Sequence, residues 1–162
     1  MPFTLVPLSI QQLELLAASH EPEELTLHAE PGAMPPSFVA ARSLKLKADG
    51  CPGPWSNSFL IMRCADERFV GACGFKTAPN AGRVEVGYGV SPASQGQGAA
   101  TTALKMLSAI AFGAGASEVL AEVLPDNWAS IRVVQKAGFA KVGARVDEDG
   151  ACVTQWLCRS EA

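Results

Sequence analysis

Between Val84 and Val123 the chain reads as strand, glycine-rich turn, helix and strand, and this order limits the fold more than any other feature. Val84-Glu85-Val86-Gly87-Tyr88-Gly89-Val90 has a strand's content, Thr101 to Phe112 has helical apolar spacing, and Glu118 to Val123 is a second strand. Two strands joined through a helix lie parallel, with a right-handed crossover. The joint between strand and helix is Gln95-Gly96-Gln97-Gly98-Ala99-Ala100. Its glycines and alanines let the backbone approach a ligand, and the unpaired N–H groups of the first helical turn point beyond the strand end. This is an anion-binding turn, and phosphate is its natural guest.

The rest of the chain supplies a sheet around that unit. Ser58 to Arg63 and Phe69 to Phe75 read as strands about the turn Ala65-Asp66-Glu67-Arg68, and Asn80-Ala81-Gly82-Arg83 leads into Val84–Val90. Short turns between consecutive strands make an antiparallel meander. Phe3 to Leu8 is a first strand. Gln11 to Ala18 is a short helix carrying Leu13, Leu15 and Leu16 after Ser9, and Ser37 to Leu46 is another helix opened by Pro35-Pro36. Residues 20 to 36, rich in acids and prolines, show no period. In the central helix Ala100, Ala103, Leu104, Leu107, Ile110 and Ala111 mark the buried face. Asn127 to Ala137 is a helix closed by Gly138, and Lys141–Val146 with Cys152–Leu157 forms a terminal hairpin.

A chain of 162 residues, 48% of them hydrophobic, has room for one core, so 1–162 reads as a single domain. A formal charge of −3 without a Lys/Arg block gives nucleic acid no footprint. No apolar stretch reaches the roughly 20 residues of a membrane helix, and Met1-Pro2-Phe3-Thr4 lacks the order of a signal peptide, so no membrane partner and a cytoplasmic location are expected. The five cysteines include no C-x-x-C pair, and with only His20 and His28 beside them no metal site is expected. Cys73 and Cys158, flanked by apolar residues, read as small core residues. Other phosphate motifs fail. Ala99, not lysine, follows Gly98, and Pro92 stands where a dinucleotide fingerprint begun at Gly87 needs glycine.

Gln95, Gly98 and Ala100 match the (Gln/Arg)-x-x-Gly-x-(Gly/Ala) pattern by which GCN5-related N-acetyltransferases grip the pyrophosphate of acetyl-CoA. Asn127-Trp128-Ala129-Ser130 leading to Lys136-Ala137-Gly138-Phe139, and Glu85-Val86-Gly87-Tyr88 upstream, also resemble that family, most of all its RimJ/RimL-like subgroup. The resemblance runs over most of residues 58 to 157. It implies an α/β (α+β) fold with a mixed sheet of about six to seven strands, an antiparallel meander plus one parallel splayed pair, flanked by about four helices. It implies acetyl-CoA as cosubstrate and an amine as acceptor, and leaves a homodimer open. The cofactor's pantetheine arm would enter the gap between Val84–Val90 and Glu118–Val123, with Gly87 and Gly89 fitting a bulge that breaks the ladder. Tyr88 and Val90 would supply main-chain contacts, Gln95, Gly96, Gln97, Gly98, Ala99, Ala100 and Thr101 would wrap the pyrophosphate, and Asn127 would bond the pantetheine or serve as an N-cap.

Acetyl transfer needs a neutral amine, a polarised carbonyl and a proton for the departing thiolate. Glu85 is the best carboxylate for taking the amine proton, against a plain reading as a solvated strand residue. The resemblance leads one to expect a tyrosine seven residues after Asn127, where Val134 stands. Ser130 is then either the proton donor or a capping hydroxyl. Glu14, Glu21, Glu23, Glu24 and Glu30 put negative charge on the segment that would border the acceptor entrance, where a cationic amine is attracted; the same residues also read as solvated surface. Two functions remain: an N-acetyltransferase acting on a protein N-terminus, amino acid, polyamine or other small amine, and a non-catalytic acyl-CoA-binding or regulatory domain of the same fold.

Overall fold

The computed structural model describes residues 2–161. The strands are β1 (Phe3–Pro7), β2 (Ser58–Arg63), β3 (Arg68–Phe75), β4 (Arg83–Val90), β5 (Glu118–Val123), β6 (Ala140–Val146) and β7 (Cys152–Arg159). The helices are α1 (Ile10–Ala17), α2 (Glu23–Thr26), α3 (Ser37–Ala48), α4 (Ala99–Gly113) and α5 (Trp128–Lys136), with a 3₁₀ turn at Pro92–Ser94. The short α2 and the 3₁₀ turn go beyond the helices expected from sequence.

One seven-stranded sheet runs β1-β2-β3-β4-β5-β7-β6. Every neighbouring pair is antiparallel except β4 and β5, which the α4 crossover makes parallel. Alternation along β2 assigns the two faces: Phe59 and Ile61 enter the core that α4 and α5 cover, and Leu60 enters the core beneath α1, α2 and α3. Ala103, Leu104, Leu107 and Ala111 of α4 have no exposed surface, so this helix locks the strands that carry the site. Removing one such leucine side chain costs on the order of 2–5 kcal/mol. No helix among the described residues is long and apolar enough to cross a membrane.

Local signals explain most boundaries. Ser9 caps α1 through a capping box with Gln12. Within α1, Leu13 and Leu16 are buried, but Leu15 is 45% exposed because it falls outside their stripe. On α4 the buried set takes Ala99 and Ser108, while Ala100 and Ile110 sit at its margin. Gly87 and Gly89 make no bulge, since β4 pairs residue for residue with β3 from Val86 to Val90. Their neighbourhood is one of close approach instead: a Cβ placed on Gly71 would fall 2.3 Å from the Gly89 carbonyl oxygen.

Candidate active site

The gap lies between β4 and β5, as the resemblance led one to expect. Their parallel ladder covers only Arg83–Glu85 against Glu118–Leu120. Beyond it β4 stays with β3 as far as Val90, and β5 stays with β7 as far as Val123, so the strands part. The Glu85 carbonyl accepts from Lys76 N–H and Ser91 N–H donates to Val70, both on the β3 side. Backbone groups alternate sides along a strand, so those of Val86, Tyr88 and Val90 face the gap. Gln95 Nε2 donates to the Val90 carbonyl at 3.4 Å, which leaves the Val90 N–H and both main-chain groups of Tyr88 open to a ligand.

At the mouth of the gap stand the 3₁₀ turn and the N-terminus of α4. Gly98 is the N-cap, in the left-handed region at φ 86°, and no side chain caps the helix. Gly96 shares that conformation at φ 82°. Both positions are strained for any residue with a Cβ, and the absent cap leaves the first N–H groups of α4 available to an anion. Behind the turn Arg63 acts as a hub. It donates to Ser94 Oγ at 3.2 Å and Gln97 Oε1 at 3.3 Å, and it pairs with Glu30 at 3.4 Å and Asp66 at 2.7 Å. Ser94 Oγ donates to Glu30 as well.

A cavity of about 600 Å³ occupies this gap. All the residues expected to hold the cofactor line it except Gln97, whose amide is turned back onto Arg63. Its far wall is α5. Asn127 caps that helix, its Oδ1 accepting the Ser130 N–H at 3.2 Å, so the cap reading holds for the oxygen while the side-chain amide nitrogen has no partner among the described residues. Arg132 and Lys136 also line this wall, and neither pairs with a carboxylate among the described residues. Sequence reasoning passed over them. Their i,i+4 spacing on one helix face was the available signal.

A second cavity of about 490 Å³ is lined by residues of β3, β4 and β5 and shares Tyr88, Gly89, Val90 and Ser130 with the first. At that junction the Tyr88 hydroxyl and Ser130 Oγ are 2.8 Å apart. The Ser130 hydroxyl therefore bonds Tyr88, while capping of the first turn falls to Asn127. Burial pushes the Tyr88 phenol up from its ordinary value, with the Ser130 hydrogen bond acting weakly against it. Val134 is fully buried in the core. Cys73 borders the second cavity, and burial raises its thiol so far that it stays protonated.

The charged residues lining the second cavity are Arg42 of α3, Lys76 just after β3 and Glu122 of β5. Lys76 Nζ holds Glu85 at 2.7 Å, and Arg145 grips Glu122 through two hydrogen bonds of 2.5 and 2.7 Å. Lys76 and Glu122 line the cavity; Glu85 does not, and stands at the last rung of the β4–β5 ladder before the strands part. None of Glu14, Glu21, Glu23, Glu24 and Glu30 lines it, and Glu30 is committed to Arg63. The segment 32–39 and Arg42 of α3 form its outer wall instead.

The acetyltransferase (GNAT) domain family model matches residues 3–140. No curated protein matches the chain significantly. Among solved structures, the ribosomal-protein-S5-alanine acetyltransferase of Vibrio fischeri superposes with a TM-score of 0.69 at 14% identity, over 99% of this chain and 94% of that one. A SpeG spermidine N-acetyltransferase chimera from Vibrio cholerae and hSSAT gives 0.69 at 14%, over 98% and 96%. The structure of yncA from Salmonella typhimurium, solved with its cofactor acetyl-CoA, gives 0.66 at 17%, over 100% and 96%. With the splayed parallel pair, the uncapped helix and the family match in agreement, the chain belongs to the GNAT acetyltransferases and is an acyltransferase that uses acetyl-CoA.

Proposed function

We propose that the protein transfers the acetyl group of acetyl-CoA to a primary amine, with the cofactor in the first cavity and the amine in the second. The observation that carries this reading is the meeting of the two cavities at Tyr88 and Ser130. A thioester reaching that point from one side and an amine from the other are held for direct attack, which replaces a bimolecular encounter by an oriented one.

The pyrophosphate lies on the N–H groups from Gln95 to Thr101, with Arg132 and Lys136 beside it. Main-chain groups of Tyr88 and Val90 take the pantetheine arm, joined by the Asn127 amide nitrogen. A β4 N–H at Tyr88 or Val90 binds the thioester oxygen and stabilises the charge that develops there. The amine adds to the carbonyl carbon, the C–S bond breaks, the thiolate takes a proton from the Tyr88–Ser130 pair, and the proton lost by the amine nitrogen leaves to water, from which the pair is reprotonated. A phenol raised by burial remains protonated at neutral pH and suits that step. Glu85 enters as the carboxylate that holds Lys76; its part as proton acceptor is open to test through the pH profile.

Incubation of the purified protein with acetyl-CoA and a panel of amines, following thiol release and product mass, tests the reading. Stoichiometric thiol and an N-acetylated product are expected. Tight acetyl-CoA binding without transfer to any amine would instead identify a non-catalytic CoA-binding domain.

A further inference from the structure

Arg42 is a half-buried guanidinium on α3 that lines the second cavity, and it forms no hydrogen bond or ion pair with a carboxylate among the described residues. The other charges there are matched: Lys76 with Glu85 and Arg145 with Glu122. Glu85 acts on Arg42 only through space, and it is already held by Lys76. One positive charge therefore stays uncompensated in the wall that faces the acceptor. Burial pulls the Arg42 guanidinium below its ordinary pKa, the mark of a charge short of solvation. Met34, Phe38 and Val39 line the same cavity and offer apolar surface to the body of a ligand.

We propose that the acceptor is an amine that also carries a carboxylate, a free amino acid with an apolar side chain, and that Arg42 binds that carboxylate. A planar guanidinium meets a carboxylate through two parallel hydrogen bonds and fixes the amine's orientation as well as its affinity. A polyamine is disfavoured by the same charge, because it would bring more positive charge to a wall that is already one unit positive. The inference rests on the acetyltransferase reading given above.

The test uses matched pairs of acceptors differing only in the carboxylate: L-phenylalanine with phenethylamine, and L-methionine with 3-(methylthio)propylamine, alongside spermidine and a short peptide. In the wild-type protein kcat/KM for each amino acid is expected to exceed that of its decarboxylated twin by about tenfold or more, the scale of one charge-assisted contact. Arg42→Gln should erase that ratio by raising KM for the amino acids alone, and Arg42→Lys should restore part of it. Acetylation that favours phenethylamine, spermidine or the peptide, or a ratio that persists in Arg42→Gln, overturns the carboxylate proposal and leaves the acetyltransferase reading standing. Transfer to none of these amines by a protein that binds acetyl-CoA overturns both. Thermal unfolding of Arg42→Gln and Arg42→Lys with acetyl-CoA present checks that the fold and cofactor site survive.

Discussion

The Tyr88 hydroxyl and the Ser130 hydroxyl, 42 residues apart in the chain, meet at 2.8 Å where the two cavities join. β4 brings one to the junction and the first turn of α5 brings the other. Removal of either should act on turnover. Tyr88→Phe and Ser130→Ala are expected to lower kcat by roughly 10²-fold, at the low end of general-acid effects, with acetyl-CoA affinity little changed. Stopped-time assays beside calorimetric titration separate the two quantities, and equal losses in affinity would make the pair a binding contact only.

Acetyl-CoA at 100 times its Kd should stabilise the protein by about 2.7 kcal/mol. Ala100→Glu is expected to abolish that thermal shift, since the new carboxylate projects from the uncapped first turn of α4 into the phosphate position. The substitution should leave the apoprotein's own melting temperature nearly unchanged, because Ala100 sits at the margin of the core.

Arg132→Ala and Lys136→Ala are each expected to weaken acetyl-CoA binding by about tenfold at low ionic strength. The two effects should shrink as salt rises, since both side chains face an open cavity. Titrations at two salt concentrations check this, and salt-independent losses would point to packing.

The ascending limb of the kcat/KM pH profile distinguishes two proton acceptors. With Glu85 held by Lys76 at 2.7 Å, the limb is expected to persist in Glu85→Gln and to follow the acceptor amine's own ionisation. A limb flattened by the amide would make Glu85 the base, directly or through water.

Glu122 sets an acid limit on stability. The Arg145 guanidinium, and to a lesser degree the Gln155 amide, hold its carboxyl below the ordinary 4.5. A folded value below the unfolded one means the stabilisation is complete above about 4.5 and disappears as pH falls through the lowered value. Glu122→Gln should flatten the decline in melting temperature on acidification, at a cost of about 2–4 °C near neutrality, the shift that ~1 kcal/mol produces in a chain of this size. An acid limb as steep as the wild type's would assign it to other carboxylates, such as Glu118 and Asp66, which arginines also hold down.

Where local chemistry decides structure, the chain was readable. β2 and β5 occupy the residues expected of them because β-branched and apolar runs are bounded by turn residues. α4 begins at Ala99, earlier than Thr101, because its cap is a left-handed glycine without a side-chain signature. Residues 20–36 stayed opaque because they hold only the four-residue α2, too short to show a period, and isolated contacts such as the Glu30 N–H on the Phe69 carbonyl. The turn from Gln95 to Thr101 at the mouth of the first cavity was legible as a contiguous motif. Tyr88 lies on the strand expected of it and lines the first cavity, yet the reach of its hydroxyl to Ser130 depends on tertiary geometry that no spacing encodes.

Arg63 ties together two parts of the molecule that sequence distance keeps separate. Through it and Ser94, the turn at the mouth of the first cavity is fastened to Glu30, two residues before the segment that walls the second. Two ligands that each steady one side of such a shared fastening must influence one another equally. Whatever factor acetyl-CoA adds to the acceptor's affinity, the acceptor returns to acetyl-CoA. Arg63→Ala, at a residue that lines neither cavity, should bring that factor towards one, so that each substrate would bind equally well whether or not the other is present.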